Sequence, residues 1–176
     1  AMAVWDQDDG KRNNIWSSRY IAGVGWGTAV LIETNDAGTA RYPQVKIDVK
    51  GSAVAVWQQS DGTLNNIWAN RYVVGVGWGA AVILETDKSG DALLPQIAVD
   101  AQGNAIAIWS QSDGTRENIW SNRYSTGIGW GTAALLETNN AGSAGDAQVA
   151  IDPQGNALAV WGQSDGTRNN IYGNWY

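Results

Sequence analysis

The sequence predicts an all-β fold built from a four-stranded unit that is repeated along the chain. The 176 residues contain one short motif four times, as VWDQDDG, VWQQSDG, IWSQSDG and VWGQSDG. The Trp residues of these motifs are spaced by 52 residues, at Trp5, Trp57, Trp109 and Trp161. Between the motifs, apolar residues alternate with small or polar ones, and no helical period of 3.6 residues occurs. The chain is therefore interpreted as tandem copies of one β unit.

One complete unit, read from Pro95, contains four strand-like runs. The first, residues 96–100, is short, carries small side chains and is followed by a Gln-Gly-Asn turn. The second, residues 105–111, alternates Ile with Ala and ends at a Ser-Asp-Gly turn. The third, residues 118–124, reads Asn-Ile-Trp-Ser-Asn-Arg-Tyr. The fourth, residues 132–138, follows a glycine-rich corner of the form Gly-x-Gly-Trp and closes the unit.

A unit of this length that is apolar on both faces must stack on copies of itself. Radial stacking gives a β-propeller, in which the small-sided first run suits the crowded position near the axis. A β-solenoid or a string of sandwich domains is the alternative, although solenoid coils are usually shorter and sandwiches need about seven strands. The predicted single repeat domain, 1–176, contains a partial blade at 1–42, blades at 43–94 and 95–146, and a partial blade at 147–176.

The phase of the repeat predicts open strand edges at both ends. The chain begins within the second strand of a blade and ends after the third strand of another, which gives three, four, four and three strands. A closed ring usually has about six to eight blades, although four-bladed rings exist. Open edges favour self-association, so we expect the propeller to be completed by oligomerisation, as a homodimer. Two chains with some three-stranded blades, about eight blades in all, fit this phase better than seven complete blades do.

Composition excludes several classes of function. The formal charge of −6 and the pI near 4.4 are opposite to what a nucleic-acid partner requires. The absence of Cys and His removes thiolate nucleophiles, disulfides, ordinary zinc sites and imidazole triads. No apolar run is long enough to span a membrane, and no signal-peptide pattern occurs. A secreted or cell-surface bacterial origin is favoured, since such repeat proteins can lack disulfides.

The order of motifs within each unit resembles a known family. Residues 55–62 and 66–78, with equivalents at 107–130 and 4–26, combine an alternating strand, an Asp-Gly turn, a strand with an aromatic near its end, and Gly-x-Gly-Trp. This order resembles the blades of the fucose-binding propeller lectins of fungi and bacteria. The resemblance implies sugar pockets between adjacent blades, with Arg and Glu holding hydroxyls and an indole as a stacking floor. The family's second-strand Arg falls here on apolar residues and on Gln59 or Gln111, and its third-strand Glu falls on Asn or Trp.

Three series of residues are candidates for ligand binding. The Trp of the glycine-rich corner matches the family's stacking Trp, with an aromatic plug between blades as the alternative. The Arg of the third strand offers a planar fork to oxygen ligands, and a Glu ends the fourth strand. An Arg–Glu pair tying strands or blades together is the alternative for these two series. The candidates are Trp26, Trp78, Trp130, Arg19, Arg71, Arg123, Glu33, Glu85 and Glu137.

These patterns predict a non-catalytic, lectin-like propeller that binds carbohydrate at repeated sites between blades. A structural or engineered repeat scaffold that self-assembles without a ligand is the alternative. Every acidic residue recurs or lies in a turn, so no unique pair of catalytic carboxylates stands out, and we expect no enzyme activity. No cofactor or metal is expected, because the carboxylates of Asp6, Asp8 and Asp9 lack the spacing of a full calcium loop.

Overall fold

The computed structural model describes residues 1–176 and contains β-strands only, in four antiparallel sheets. It contains no helix that could cross a membrane. The first blade has the strands β1 (Met2–Asp8), β2 (Asn13–Ile21), β3 (Gly25–Trp26) and β4 (Val30–Leu31). The second has β5 (Ala40–Ile47), β6 (Ala53–Ser60), β7 (Asn65–Val73), β8 (Gly77–Trp78) and β9 (Val82–Ile83). The third has β10 (Ala92–Val99), β11 (Ala105–Ser112), β12 (Glu117–Ser125), β13 (Gly129–Trp130) and β14 (Ala134–Leu135), and the fourth has β15 (Ala144–Ile151), β16 (Ala157–Ser164) and β17 (Asn169–Trp175).

Each blade is an antiparallel meander, which confirms the predicted repeat of four-stranded units. In the third blade the order is β10, β11, β12 and then an outer strand that pairs with β12 in two pieces, β13 and β14. The expected fourth strand at 132–138 is therefore wrong in its bounds. Its Gly-x-Gly-Trp corner is the first piece of the outer strand, where the backbone of Gly129 has a φ of 113° that a residue with a side chain rarely adopts.

The small-sided run lies at the inner position, as predicted. The inner strands β5, β10 and β15 pack side by side and begin at Ala40, Ala92 and Ala144, ahead of the expected blade starts at 43, 95 and 147. A β-bulge interrupts each of them; in β10 it lies between Leu93 and Gln96. The central residue of each bulge has a left-handed backbone, with Tyr42, Leu94 and Asp146 at φ 55°, 53° and 53°.

The hydrophobic core lies between blades. One cluster joins Val56 and Ile67 of the second blade to Ile97 and Trp109 of the third, and similar clusters fill the other two junctions. The strand Trp residues Trp57, Trp109 and Trp161 are 0–4 % exposed. Each blade is therefore stabilised by its neighbours, as a stacked repeat requires.

Candidate functional site

The turns divide the molecule into two faces. The turns between the first and second strands and between the third and outer strands lie on one face, which we call the Arg face because the third-strand Arg residues lie near it. It includes residues 48–52, 100–104 and 152–156. The Asp-Gly turns and the loops between blades lie on the opposite face, the Asp-Gly face.

The predicted Arg and Trp residues meet around a Tyr at each blade junction. The Arg19 guanidinium of the first blade stacks 5.3 Å from the ring centroid of Tyr72 in the second, and its Nη1 donates a hydrogen bond to the Tyr72 hydroxyl at 3.0 Å. Trp78 packs edge-to-face on the same ring at 5.7 Å and donates from Nε1 to Ser17 Oγ of the first blade at 2.8 Å. An arginine of one blade is thus held over the Tyr of an aromatic pair of the next.

The cluster recurs at the other junctions. Arg71 stacks on Tyr124 at 5.3 Å, and Tyr124 meets Trp130 at 5.6 Å. Arg123 stacks on Tyr176 at 5.1 Å. In the first blade Trp26 meets Tyr20 in the same way but has no blade in front of it, and it is 58 % exposed.

The predicted Glu residues lie elsewhere, buried between blades toward the Asp-Gly face. Trp57 Nε1 donates to Gln59 Oε1 at 2.9 Å, and Gln59 Nε2 donates to Glu33 Oε2 of the preceding blade at 3.1 Å. The corresponding Gln163 donates to Glu137, while Glu85 accepts from the backbone N–H of Ile67. Burial raises the pKa of all three carboxyl groups. None of them pairs with Arg19, Arg71 or Arg123, so the Arg–Glu pair considered from the sequence does not form.

A polar cleft of about 230 Å³ lies beside Arg123, between the third and fourth blades on the Arg face. Its polar lining includes Asp100, Asn104, Tyr124 and Gln154. Arg123 Nη2 donates to the carbonyl of Gly155 across the cleft at 2.9 Å. The cleft therefore presents a guanidinium, a carboxylate, amides and an aromatic ring in one concave surface.

Glycine is needed where the next blade approaches this surface. A methyl group on Gly103 would lie 2.9 Å from Asp48 Oδ2 and 3.8 Å from Arg71 Nη2, and the φ of Gly103 is 86°. At Gly155 the methyl group would lie at an ordinary contact distance of 3.4 Å from Asp100 Oδ2, and there the φ of 92° is what favours glycine. The Asp and Arg of one blade thus meet the glycine turn of the next.

Sequence reasoning missed the Tyr, the Asp and the Asn of this surface. The Tyr recurs in every copy of the repeat, as Tyr72, Tyr124 and Tyr176 here. Recurrence by itself indicates only that the blade fold requires the residue. Asp100 recurs as the start of a turn, where its Oδ1 accepts the backbone N–H groups of Gln102 and Asn104. Their place beside Arg depends on contacts between blades, which one copy does not encode.

Two of the carboxylates considered for calcium accept hydrogen bonds from backbone N–H groups of their own turn. Asp8 Oδ1 accepts from the backbone N–H of Gly10, and Asp9 Oδ1 accepts from those of Lys11 and Arg12. These bonds lower the pKa of Asp9 to about 2. No group of three or more His, Cys, Asp or Glu side chains is arranged to hold a metal ion.

Comparison with known proteins gives matches to solved structures alone. No protein-family model and no curated protein matches the sequence. A protein of unknown function from Dyadobacter fermentans matches with a TM-score of 0.66 and 14% identity, over 99% of this chain and 49% of that one. An α-L-arabinofuranosidase from Fusarium graminearum matches with a TM-score of 0.58 and 16% identity, over 99% and 58%. An intramolecular trans-sialidase from Ruminococcus gnavus matches with a TM-score of 0.55 and 14% identity, over 99% and 40%.

These matches show the fold, a β-propeller, and confirm that prediction. The chain spans about half the length of the structures it matches. The same comparison overturns the prediction that the chain is not an enzyme. Two of the three structures are named as carbohydrate-active enzymes, so this arrangement of blades carries catalysis in other proteins and the exclusion no longer holds.

Proposed function

We propose that the protein recognises carbohydrate in the clefts between adjacent blades on its Arg face. The observation that carries the proposal is the cleft between the third and fourth blades, lined by Asp100, Asn104, Arg123, Tyr124 and Gln154. Its volume of about 230 Å³ suits one or two sugar rings rather than a macromolecular surface.

The chemistry of this lining matches that of a sugar. A pyranose presents hydroxyls that both donate and accept hydrogen bonds. In the cleft the Arg123 guanidinium can donate to them, and the side-chain amide of Gln154 can both donate and accept. The Tyr124 ring adds an apolar surface for the C–H face of the sugar. Trp130, packed on that ring, acts in this proposal as a residue that holds the Tyr in place, and Trp78 does the same for Tyr72.

Equivalent residues at another blade junction would provide a second site of the same kind. Asp48, Arg71 and Gly103 at the junction of the second and third blades correspond to Asp100, Arg123 and Gly155 of the cleft. Weak contacts at successive junctions would add through avidity on a glycan with several sugar units. The names of the similar structures, an arabinofuranosidase and a trans-sialidase, support a carbohydrate as the class of ligand.

Filling the cleft tests this proposal. Gln154 lines it, and only its backbone N–H makes a hydrogen bond, to Asp152. We expect Gln154→Trp to reduce the affinity for glycans about tenfold or more in calorimetry or glycan-array binding, because the indole occupies the space of the ligand. Asn140→Trp, in an exposed loop on the Asp-Gly face, is the control and should bind as the unmodified chain does. Equal glycan binding by both variants, or no binding by the unmodified chain, would contradict the proposal.

A further inference from the structure

The three arginines of the Arg face have no acidic partner. Arg19, Arg71 and Arg123 lie more than 4 Å from every carboxylate, whereas the three arginines of the Asp-Gly turns each approach an aspartate. Arg12 pairs with Asp36, Arg116 approaches Asp113 at 3.7 Å and Arg168 approaches Asp165 at 3.5 Å. The contrast is systematic, since the unpaired position recurs in three successive blades.

Each of these guanidinium groups lies over an aromatic ring but forms at most one side-chain hydrogen bond. Each lies over a Tyr ring of the next blade, with its Cζ 5.1–5.3 Å from the ring centroid, which restricts where the group can move. A guanidinium has five N–H donors, and the side chain of Arg19 makes one hydrogen bond, to Tyr72, while that of Arg123 makes one, to Gly155. Arg71 makes none through its side chain. The free edges are planar forks of the kind that bind a carboxylate or a sulfate with two parallel hydrogen bonds.

Charge is distributed unequally between the two faces. The Arg face holds three acidic residues and five basic ones: Asp48, Asp100, Asp152, Arg19, Lys46, Lys50, Arg71 and Arg123. That leaves fourteen of the 17 acidic and six of the 11 basic residues on the opposite side. The Arg face is therefore net positive in a chain whose total charge is −6.

The acidic residues of the Arg face direct their hydrogen bonds to their own turns rather than to its arginines, and Asp48 Oδ1 accepts from the backbone N–H groups of Lys50 and Ser52. Asp100 Oδ1 accepts two backbone N–H groups and its Oδ2 accepts from Asn104 Nδ2 at 2.8 Å. Asp152 is held in the same way by Gln154 and Asn156. The guanidinium N–H groups that form no hydrogen bond within the protein are therefore available to a ligand.

We propose that the ligand of the Arg face is an acidic glycan, with a carboxylate or sulfate group bound at the guanidinium of each junction. This inference rests on the proposed carbohydrate recognition and specifies its class. A polysaccharide with an acidic group on regularly spaced sugars fits a face that repeats one unpaired arginine in each of the first three blades. Each fork binds one acidic group while the cleft beside it holds the ring.

Pairs of glycans that differ only in charge test the inference. Polygalacturonate and its methyl ester form one pair, and dextran sulfate and dextran form another. We expect the charged member of at least one pair to bind at least about tenfold more tightly than its neutral counterpart at physiological salt. Equal binding of both members would overturn the acidic-glycan inference and leave carbohydrate recognition standing. No binding of any glycan would overturn both.

Substitutions locate the charge effect. The double variant Arg71→Gln and Arg123→Gln should lose about tenfold or more in affinity for the charged glycan, whereas Arg168→Gln, on the Asp-Gly face, should lose little. Arg71→Lys keeps the charge without the fork and should bind less tightly than the unmodified chain even if the double variant fails to fold. An equal loss in Arg168→Gln, or binding of duplex DNA as tight as that of the charged glycan, would show a general charge effect and overturn the inference.

Discussion

At the scale of single residues, each of the buried Glu33, Glu85 and Glu137 has a basic side chain nearby, which comes from one of two places. Arg12 and Arg116 extend from the Asp-Gly turns and donate from Nε to Asn14 Oδ1 at 3.2 Å and to Asn118 Oδ1 at 3.4 Å. Both arginines favour the charged form of the nearby Glu33 and Glu137.

In the second blade the basic side chain comes from the loop after the outer strand and not from the Asp-Gly turn. Leu64 stands in its turn where the first and third blades have Arg, and Lys88 of the following loop takes over. Lys88 Nζ donates to Glu85 Oε1 at 3.2 Å and also to Asn66 Oδ1. A positive group near the buried carboxylate is therefore kept in each of these blades, although its position in the sequence changes.

Whether an Arg at position 64 can replace Lys88 as the positive group near Glu85 can be tested by substitution. We expect Lys88→Asn to lower the free energy of unfolding by about 1–2 kcal/mol, because the buried Glu85 loses a charged hydrogen-bond partner. Adding Leu64→Arg should restore part of that loss by recreating the arrangement of Arg116. Urea unfolding of both single variants and the double variant measures the coupling. A double variant no more stable than Lys88→Asn alone would contradict this account.

At the scale of elements, the sequence predicts the second and third strands of each blade well, because the second alternates Ile, Leu or Val with Ala and the Asp-Gly turn separates the two. The inner strand was predicted too short, since the bulge at Leu94 and Pro95 interrupts its alternation. The outer strand was placed too late because its two pieces contain only Gly129–Trp130 and Ala134–Leu135.

The candidate site was predictable only in part, for a related reason. Arg and Trp stand out within one copy of the repeat as a possible sugar-binding pair. The Tyr between them and the Asp of the neighbouring turn acquire their roles from contacts between blades. Those contacts join residues more than fifty positions apart, such as Arg19 and Tyr72, and no local pattern specifies them.

The close approach of blades at the glycine turns gives a second prediction. Gly103→Ala should lower the free energy of unfolding by about 2 kcal/mol, because the added methyl group is strained at this φ and also meets Asp48 Oδ2 at 2.9 Å. Gly127→Ala is the matched control, since Gly127 has a φ of 83° but nothing within 4 Å. It should cost about 1 kcal/mol. Equal losses of unfolding free energy in the two variants, measured by thermal or urea unfolding, would show that the close approach of the blades at Gly103 adds nothing to the cost of the methyl group.

At the scale of the whole molecule, the first and fourth blades each leave an apolar surface uncovered. Trp26 and Tyr20 of the first blade are 58 % and 40 % exposed. On the fourth blade Ile171 and Trp175 are 81 % and 72 % exposed, and Trp175 stands where the other blades have the stacking Arg. In the interior of the chain the equivalent surfaces cover each other.

We propose that these two surfaces bind each other between two copies of the chain, as a homodimer. Sedimentation or light scattering of the 176-residue chain should give twice the monomer mass at micromolar concentration. Trp175→Ser together with Trp26→Ser should shift it to monomer without loss of β-sheet circular dichroism, because the largest exposed aromatics are removed. Tyr42→Ser, an exposed aromatic on the inner strand, is the control. A monomeric unmodified chain would contradict the proposal.

Carbohydrate recognition on the Arg face requires that a glycan bind between the blades. The most direct measurement is nuclear magnetic resonance of the isotope-labelled protein during titration with the charged and neutral glycans named above. Binding in the clefts predicts shifts of the Arg71 and Arg123 Nε–Hε resonances and of the Gln154 and Gly155 amides, with the Asp-Gly turns unchanged. Shifts confined to the Asp-Gly face, or no shifts at saturating glycan, would contradict carbohydrate recognition between the blades.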